Sequence, residues 1–205
     1  AGVLGAEPLV VCFFEKERKK IMNNIIIGNI ISFIAALFMM SSCIVNDRNR
    51  VFMLQFFNSF LLAIASWFFA SYAGIAALLI SSVRNYIVSK DKFTKNVMII
   101  FLVMSVILCA AVNNRGFIGL IPIIATVQYT LCSYYVKGVK ETRYSIWANL
   151  FMWIIYSFSI LDFSTALSDL TTLIINTLSI IKHRGRKEAS KNVSFDEFDY
   201  TTEEI

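Results

Sequence analysis

The chain has 205 residues, 57% of them hydrophobic and only 16% charged, with a mean hydropathy of +0.66. That balance excludes an ordinary water-soluble domain and an intrinsically disordered chain. A net charge of +5 would suit a nucleic-acid binder, but the basic residues lie beside apolar segments and form no free arm, so the expected partner is the lipid bilayer and not nucleic acid.

With no water in hydrocarbon to satisfy backbone groups, only helices or a closed barrel can span a membrane. The apolar runs here are long and continuous, without in-out alternation, so an all-α integral membrane protein is expected. Cys12, Cys43, Cys109 and Cys132 lie far apart, form no CxxC pair and read as free thiols. The single histidine, His183, sits among Lys182, Arg184, Arg186 and Lys187 and reads as a solvated interfacial residue, so no metal site and no cofactor are expected.

Residues 1–21 read as an N-terminal extension that carries Lys16, Arg18, Lys19 and Lys20; Met22 directly precedes the first span, which makes a natural start at Met22 one reading of it. A crossing of about 30 Å needs about 20 residues, and 25–45 supplies the first. Residues 52–88 are 37 in number with Arg84 their only charge. As one helix they would run about 55 Å, so they are expected to fold as a hairpin broken at 71–74. Residues 97–112 form a short fourth span, bounded by Lys95 and the turn-like NNRG of 113–116, and 117–136 form a fifth, stopped by KGVKETR. The 38 residues of 144–181 are again too long for one pass, and a break at 161–164 yields spans six and seven. The tail, 183–205, begins basic and ends acidic, a composition expected to be disordered.

Spans one to three and five to seven share a layout: a helix, a basic loop, then a loop-poor hairpin with a basic end. Asn23 and Gly28 align with Asn114 and Gly119 at a shift of 91, Arg50 with Arg143 at 93, and SSVR (81–84) with SIIK (179–182) at 98. Seven transmembrane helices in a 3+1+3 arrangement follow: a first three-helix unit at 22–96, a linker helix at 97–112 and a second unit at 113–182. An odd linker gives both units the same orientation, and parallel repeats of this kind are a transporter plan with the substrate site near the midplane between them. On this topology the C-terminal side carries 14 lysines and arginines and the other side 5, which predicts a multi-pass protein with a cytoplasmic C-terminus.

Polar residues inside such spans face a bundle interior or a wet cavity. In span seven Asp169, Thr172, Asn176 and Ser179 fall at i, i+3, i+7 and i+10, one helix face. Asn176 lies deeper than Asp169, which sits early in the span and nearer the outer interface. In span three Gly74, Ala77, Ser81 and Arg84 make a matching stripe, with Arg84 expected to snorkel to the interface. Asn149, Trp153 and Tyr156 share a face of span six able to hydrogen-bond and stack a small polar or heteroaromatic ligand. The candidate substrate-binding residues are Asn176, Ser81, Asn85, Asn149, Trp153, Tyr156, Asp169 and Gln128.

NDRNR (46–50), AGIAALLISSVRNYIV (73–88), GLIPIIATVQYTL (119–131) and DLTTLIINTLSIIK (169–182) carry a resemblance to the YgjV family of bacterial inner-membrane proteins. More distantly, the chain resembles the PQ-loop group that includes SWEET sugar transporters and PnuC vitamin-precursor transporters. The resemblance implies a carrier for a small polar solute, with side chains of the third helix of each repeat holding substrate; it points at Asn176 and at the region of Ser81 and Asn85. The group's Pro-Gln dipeptide is absent, because Pro122 and Gln128 are separated and the first copy has Ile31 where the second has Pro122. A SWEET-type gating hinge is therefore not carried over to the first repeat. The competing expectation is a non-transporting membrane assembly protein whose polar stripes are helix-packing contacts; a homo-oligomer is compatible with either. An enzyme is not expected: Asp162 and Asp169 are close in sequence instead of on facing helices, and no GxGD stretch is present.

Overall fold

A computed structural model describes residues 7–178, 180 and 181, with side chains from residue 15 onward except 139 and 179. The tail at 183–205, Ser179 and the thiol of Cys12 lie outside the described residues. All regular structure among the described residues is helical: α1 (Glu7–Ile44), α2 (Arg48–Phe68), α3 (Tyr72–Ser89), α4 (Lys95–Ala111), α5 (Leu120–Tyr135), α6 (Val139–Ser159) and α7 (163–178).

Helix α1 begins 18 residues before the expected span. Pro8 sits in its first turn, where a missing N–H is harmless, and Glu15 to Lys20 are all good helix formers, so nothing in 7–24 stops the helix. Other starts are capped by side chains: Asp47 accepts from Asn49 N at 3.0 Å before α2, Thr94 accepts from Val97 N at 3.4 Å before α4, and Asp162 accepts from Thr165 N at 3.0 Å before α7.

Both long apolar runs reverse as expected, each through a three-residue link. The first turns at 69–71, slightly ahead of the expected break, with Ala70 at φ 49°; the second turns at 160–162 with Leu161 at φ 66°. The two links make the same hydrogen bonds at a shift of 91. Ala70 N donates to Trp67 O and Ser71 N to Ser66 O, both at 3.1 Å, while Leu161 N donates to Phe158 O at 3.3 Å and Asp162 N to Ser157 O at 3.0 Å. Each link is also tied to the opposite half of the chain. Arg115 Nη2 and Asn114 Nδ2, just ahead of α5, donate to Phe69 O and Ala70 O at 2.8 and 3.0 Å. Ser32 Oγ of α1 donates to Asp162 Oδ2 at 3.0 Å, and Asn29 Oδ1 accepts from Ser164 N at 2.8 Å.

Polarity runs opposite to that of a water-soluble fold. On α7 the outer face carries Leu167, Leu170, Ile174 and Leu178, all exposed, while Asp169, Thr172 and Asn176 are buried. On α1 Ile26, Ile30, Phe33 and Leu37 are exposed and Ser32 and Ser42 are buried. Continuous exposed apolar faces of this size suit a hydrocarbon surrounding and not water. By length and composition alone, two helices suffice to cross a membrane, Glu15–Ile44 and Arg48–Phe68, with Lys95–Ala111 a shorter apolar helix. Helix α5 falls short by length, at 16 residues, and α3 carries Ser81, Ser82, Arg84 and Asn85 on its buried face.

The left-handed backbone at Ala70 and Leu161 disfavours any side chain by about 1–2 kcal/mol. Ala70→Gly and Leu161→Gly are therefore expected to keep or raise stability in detergent, by up to about 1 kcal/mol. Ala70→Val, which adds β-branching at the same φ, should lower it by at least as much in a denaturant titration.

Candidate functional site

Between the helices lies a cavity with about 50 Å³ of space open to the centres of water molecules. One water needs about 10–15 Å³ of such space, so several fit. Its walls come from α1 (Met39), α2 (Gln55, Asn58, Ser59, Leu62), α3 (Leu78, Ser81, Arg84, Asn85), α5 (Tyr129), α6 (Ile146, Asn149, Leu150, Trp153) and α7 (Asp169). Helix α4 contributes no lining residue.

Arg84 is the largest departure from expectation. The sequence reading has it snorkelling to the interface, yet its side chain is 2% exposed. Small residues along its own stripe explain this: Ala77 and Gly74 let neighbouring helices approach closely, so the guanidinium meets polar partners inward before it could reach an interface. Nε and Nη2 both donate to Asn85 Oδ1, at 3.1 and 3.0 Å. Nη1 donates to Thr130 Oγ1 at 3.0 Å and Thr126 O at 3.3 Å, and the guanidinium lies 4.9 Å from the Tyr129 ring centroid. All of these partners are neutral, and no described carboxylate lies within 4.0 Å of it.

Tyr129 in turn donates to Gln55 Oε1 at 2.8 Å, which holds the Gln55 amide in the wall while its Nε2 stays buried and without an acceptor. Asp169, on the other hand, makes no hydrogen bond with any described residue, although it is 7% exposed and lines the cavity. It points inward, as the polar face that it shares with Thr172 and Asn176 on α7 requires. Asp162 has a separate job, since its two oxygens are taken by Thr165 and Ser32 as cap and tie.

Of the sequence-derived candidates, the structure gathers Ser81, Asn85, Asn149, Trp153 and Asp169 around the cavity. Asn149 donates to Ala125 O at 2.9 Å, which orients its amide. Three candidates lie outside the lining. Asn176 donates to Arg143 O at 2.8 Å and is fully buried between α6 and α7. Tyr156 is hydrogen-bonded to Ser71, over Gly74, where a Cβ would collide with the Ser71 hydroxyl and crowd that of Tyr156. Gln128 points along its own helix to Cys132 Sγ at 3.4 Å. The polar and aromatic lining residues outside the candidate list are Arg84, Tyr129, Gln55, Asn58 and Ser59. A signal for Arg84 was present, as the one charge in a 37-residue apolar run on the face shared by Ser81; nothing local marks Tyr129, whose partners come from α2 and α3.

An α-helical membrane protein with a polar interior is the class that these features define. Residues 26–187 match the family model Imp-YgjV, described as a bacterial inner membrane protein, and the chain belongs to that family. No curated protein and no solved structure matches it.

Asn85→Ala would leave two N–H groups of a buried cation without an acceptor. A loss of about 2–3 kcal/mol is expected, by the magnitude of hydrogen bonds to charged groups, against less than about 1 kcal/mol for Asn58→Ala. SDS-titration unfolding of the two variants checks the difference.

Proposed function

We propose that this protein is a multi-pass carrier or facilitator for a small polar solute, built as two parallel three-helix units, α1–α3 and α5–α7, joined by α4. The observation that carries the reading is the cavity lined by all six helices of the two units and not by the linker. Support for the repeat comes from the two hairpin links with the same hydrogen bonds at a shift of 91, the shift that also relates Gly28 to Gly119. Reciprocal ties between each link and the other half suit a pseudo-twofold axis along the membrane normal, the plan of parallel-repeat transporters including the SWEET type. Rocking of one unit against the other would expose the cavity to the two sides in turn. Removing the buried Arg84 from the C-terminal-side count lowers it from 14 to 13, still against 5, so the C-terminus is assigned to the cytoplasm.

A second reading, an assembly protein held together by polar packing, draws on Asn176 to Arg143 O and Tyr129 to Gln55, two interhelical bonds of 2.8 Å. Such bonds stabilise a bundle by about 0.6 kcal/mol each on average, and they fit either function. Asp169, which lines the cavity without a hydrogen bond to any described residue, favours the first, since packing glue needs partners.

Proteoliposomes provide the test. Small polar solutes are expected to equilibrate faster across vesicles holding the protein than across empty ones. Ser81→Leu with Ser59→Leu, which fills the cavity, should reduce that flux at least tenfold while the protein stays folded. Equal leakage with and without protein sinks the reading. For orientation, Gly138→Cys in a background without native cysteines should react with an impermeant maleimide only from the cytoplasmic side, and Gly116→Cys only from outside; the opposite pattern reverses the topology.

A further inference from the structure

We infer that the cavity recognises a small zwitterion, a molecule with one carboxylate and one ammonium group a few bonds apart, of the size of a simple amino acid. The inference rests on the transport reading for its site and goes on to the charge of the solute. Two ionisable groups line one cavity, the Arg84 guanidinium from α3 and the Asp169 carboxyl from α7, without pairing to each other. Arg84 is prevented from swinging across, because four hydrogen bonds and the Tyr129 ring hold its guanidinium in place. Asp169 has no donor at all among the described residues, and Gln55 Nε2, in the same wall as Tyr129, lacks an acceptor.

Both ends of the cavity chemistry are therefore incomplete in complementary ways. The Arg84 and Gln55 side presents N–H donors and positive charge, which a carboxylate answers. Asp169 presents a carboxyl without a donor, which an ammonium, by holding it ionised, answers. A neutral polyol would leave the guanidinium without counter-charge and the carboxyl without a cation. A monoanion would leave the Asp169 carboxyl without a partner, and a monocation would leave the buried Arg84 charge uncompensated, which is strongly disfavoured. Only a solute carrying both signs meets both groups at once. The space also sets a limit: several waters at about 30 Å³ of liquid volume each correspond to a solute of a few non-hydrogen atoms.

Binding to the full-length protein in lipid nanodiscs tests this, with glycine, alanine and β-alanine against propionate, ethylamine and glycerol. At least one of the three zwitterions is expected to bind at least tenfold more tightly than each single-function probe. Asp169→Asn should weaken the zwitterion at least tenfold and leave propionate unchanged or tighter. Arg84→Gln should do the reverse, sparing ethylamine; should that variant not fold, Gln55→Leu is expected to weaken propionate and zwitterion alike. Glycerol binding as tightly as the zwitterions, an unchanged ranking in Asp169→Asn, or no binding of any zwitterion overturns the inference. The two readings fail separately: zwitterion binding with the expected variant pattern but no flux removes transport and keeps the recognition, whereas polyol flux indifferent to Asp169→Asn removes the recognition and keeps transport.

Discussion

Reversing a continuous apolar run inside three residues is the constraint on which the rest of this structure depends. A 37-residue run can serve two antiparallel helices only if almost none of it is spent on the loop, and a link that short requires one residue in the left-handed region. Ala70 and Leu161 take that conformation without being glycine, so the surroundings must hold them there. Arg115 and Asn114 do so for the first link through its carbonyls, and Ser32 and Asn29 hold the second through Asp162 and Ser164. Each half of the chain thus secures the turn of the other, and the positions of α3 and α7 follow from those two turns.

Helices set in this way bring their small and polar faces together. On α3, Gly74, Ala77 and Ser81 permit close approach, and the same closeness encloses Arg84, whose long side chain then finds Asn85, Thr126 and Thr130. A buried guanidinium on neutral partners is electrostatically unfinished, and the Asp169 carboxyl in the wall of the same cavity has no hydrogen bond to a described residue. Apolar side chains, displaced outward, leave a surface that water would not tolerate and that the inner membrane of the family accommodates. Polarity, packing and location are in this sense one arrangement: satisfying the inside polar groups dictates which residues meet lipid.

Much of the architecture was legible in the chain. Composition and run length establish the helical membrane class, and both hairpins fall within three residues of where the run lengths and turn residues put them. The inward stripe on α7 was readable from its periodicity, with Asp169, Thr172 and Asn176 all buried. The start of α1 was not, because a basic segment such as Glu15 to Lys20 is equally acceptable as helix or as flanking loop, and only continuation of the backbone ladder decides between them.

Residue by residue, the sequence by itself determined which positions are polar within apolar helices and on which helix face each lies, since the 3.6-residue period is local and independent of neighbours. Depth and partner were decided by the tertiary structure alone. Asn176, the deeper residue by counting along α7, spends its amide on Arg143 O, while Asp169, the shallower one, faces the cavity. Arg84 is buried and not at an interface because α2 and α5 close over it with Tyr129 and Gln55. Whether a polar side chain ends as a packing contact or as an open binding group depends on what the facing helix offers at that height, and that information lies tens of residues away in the chain.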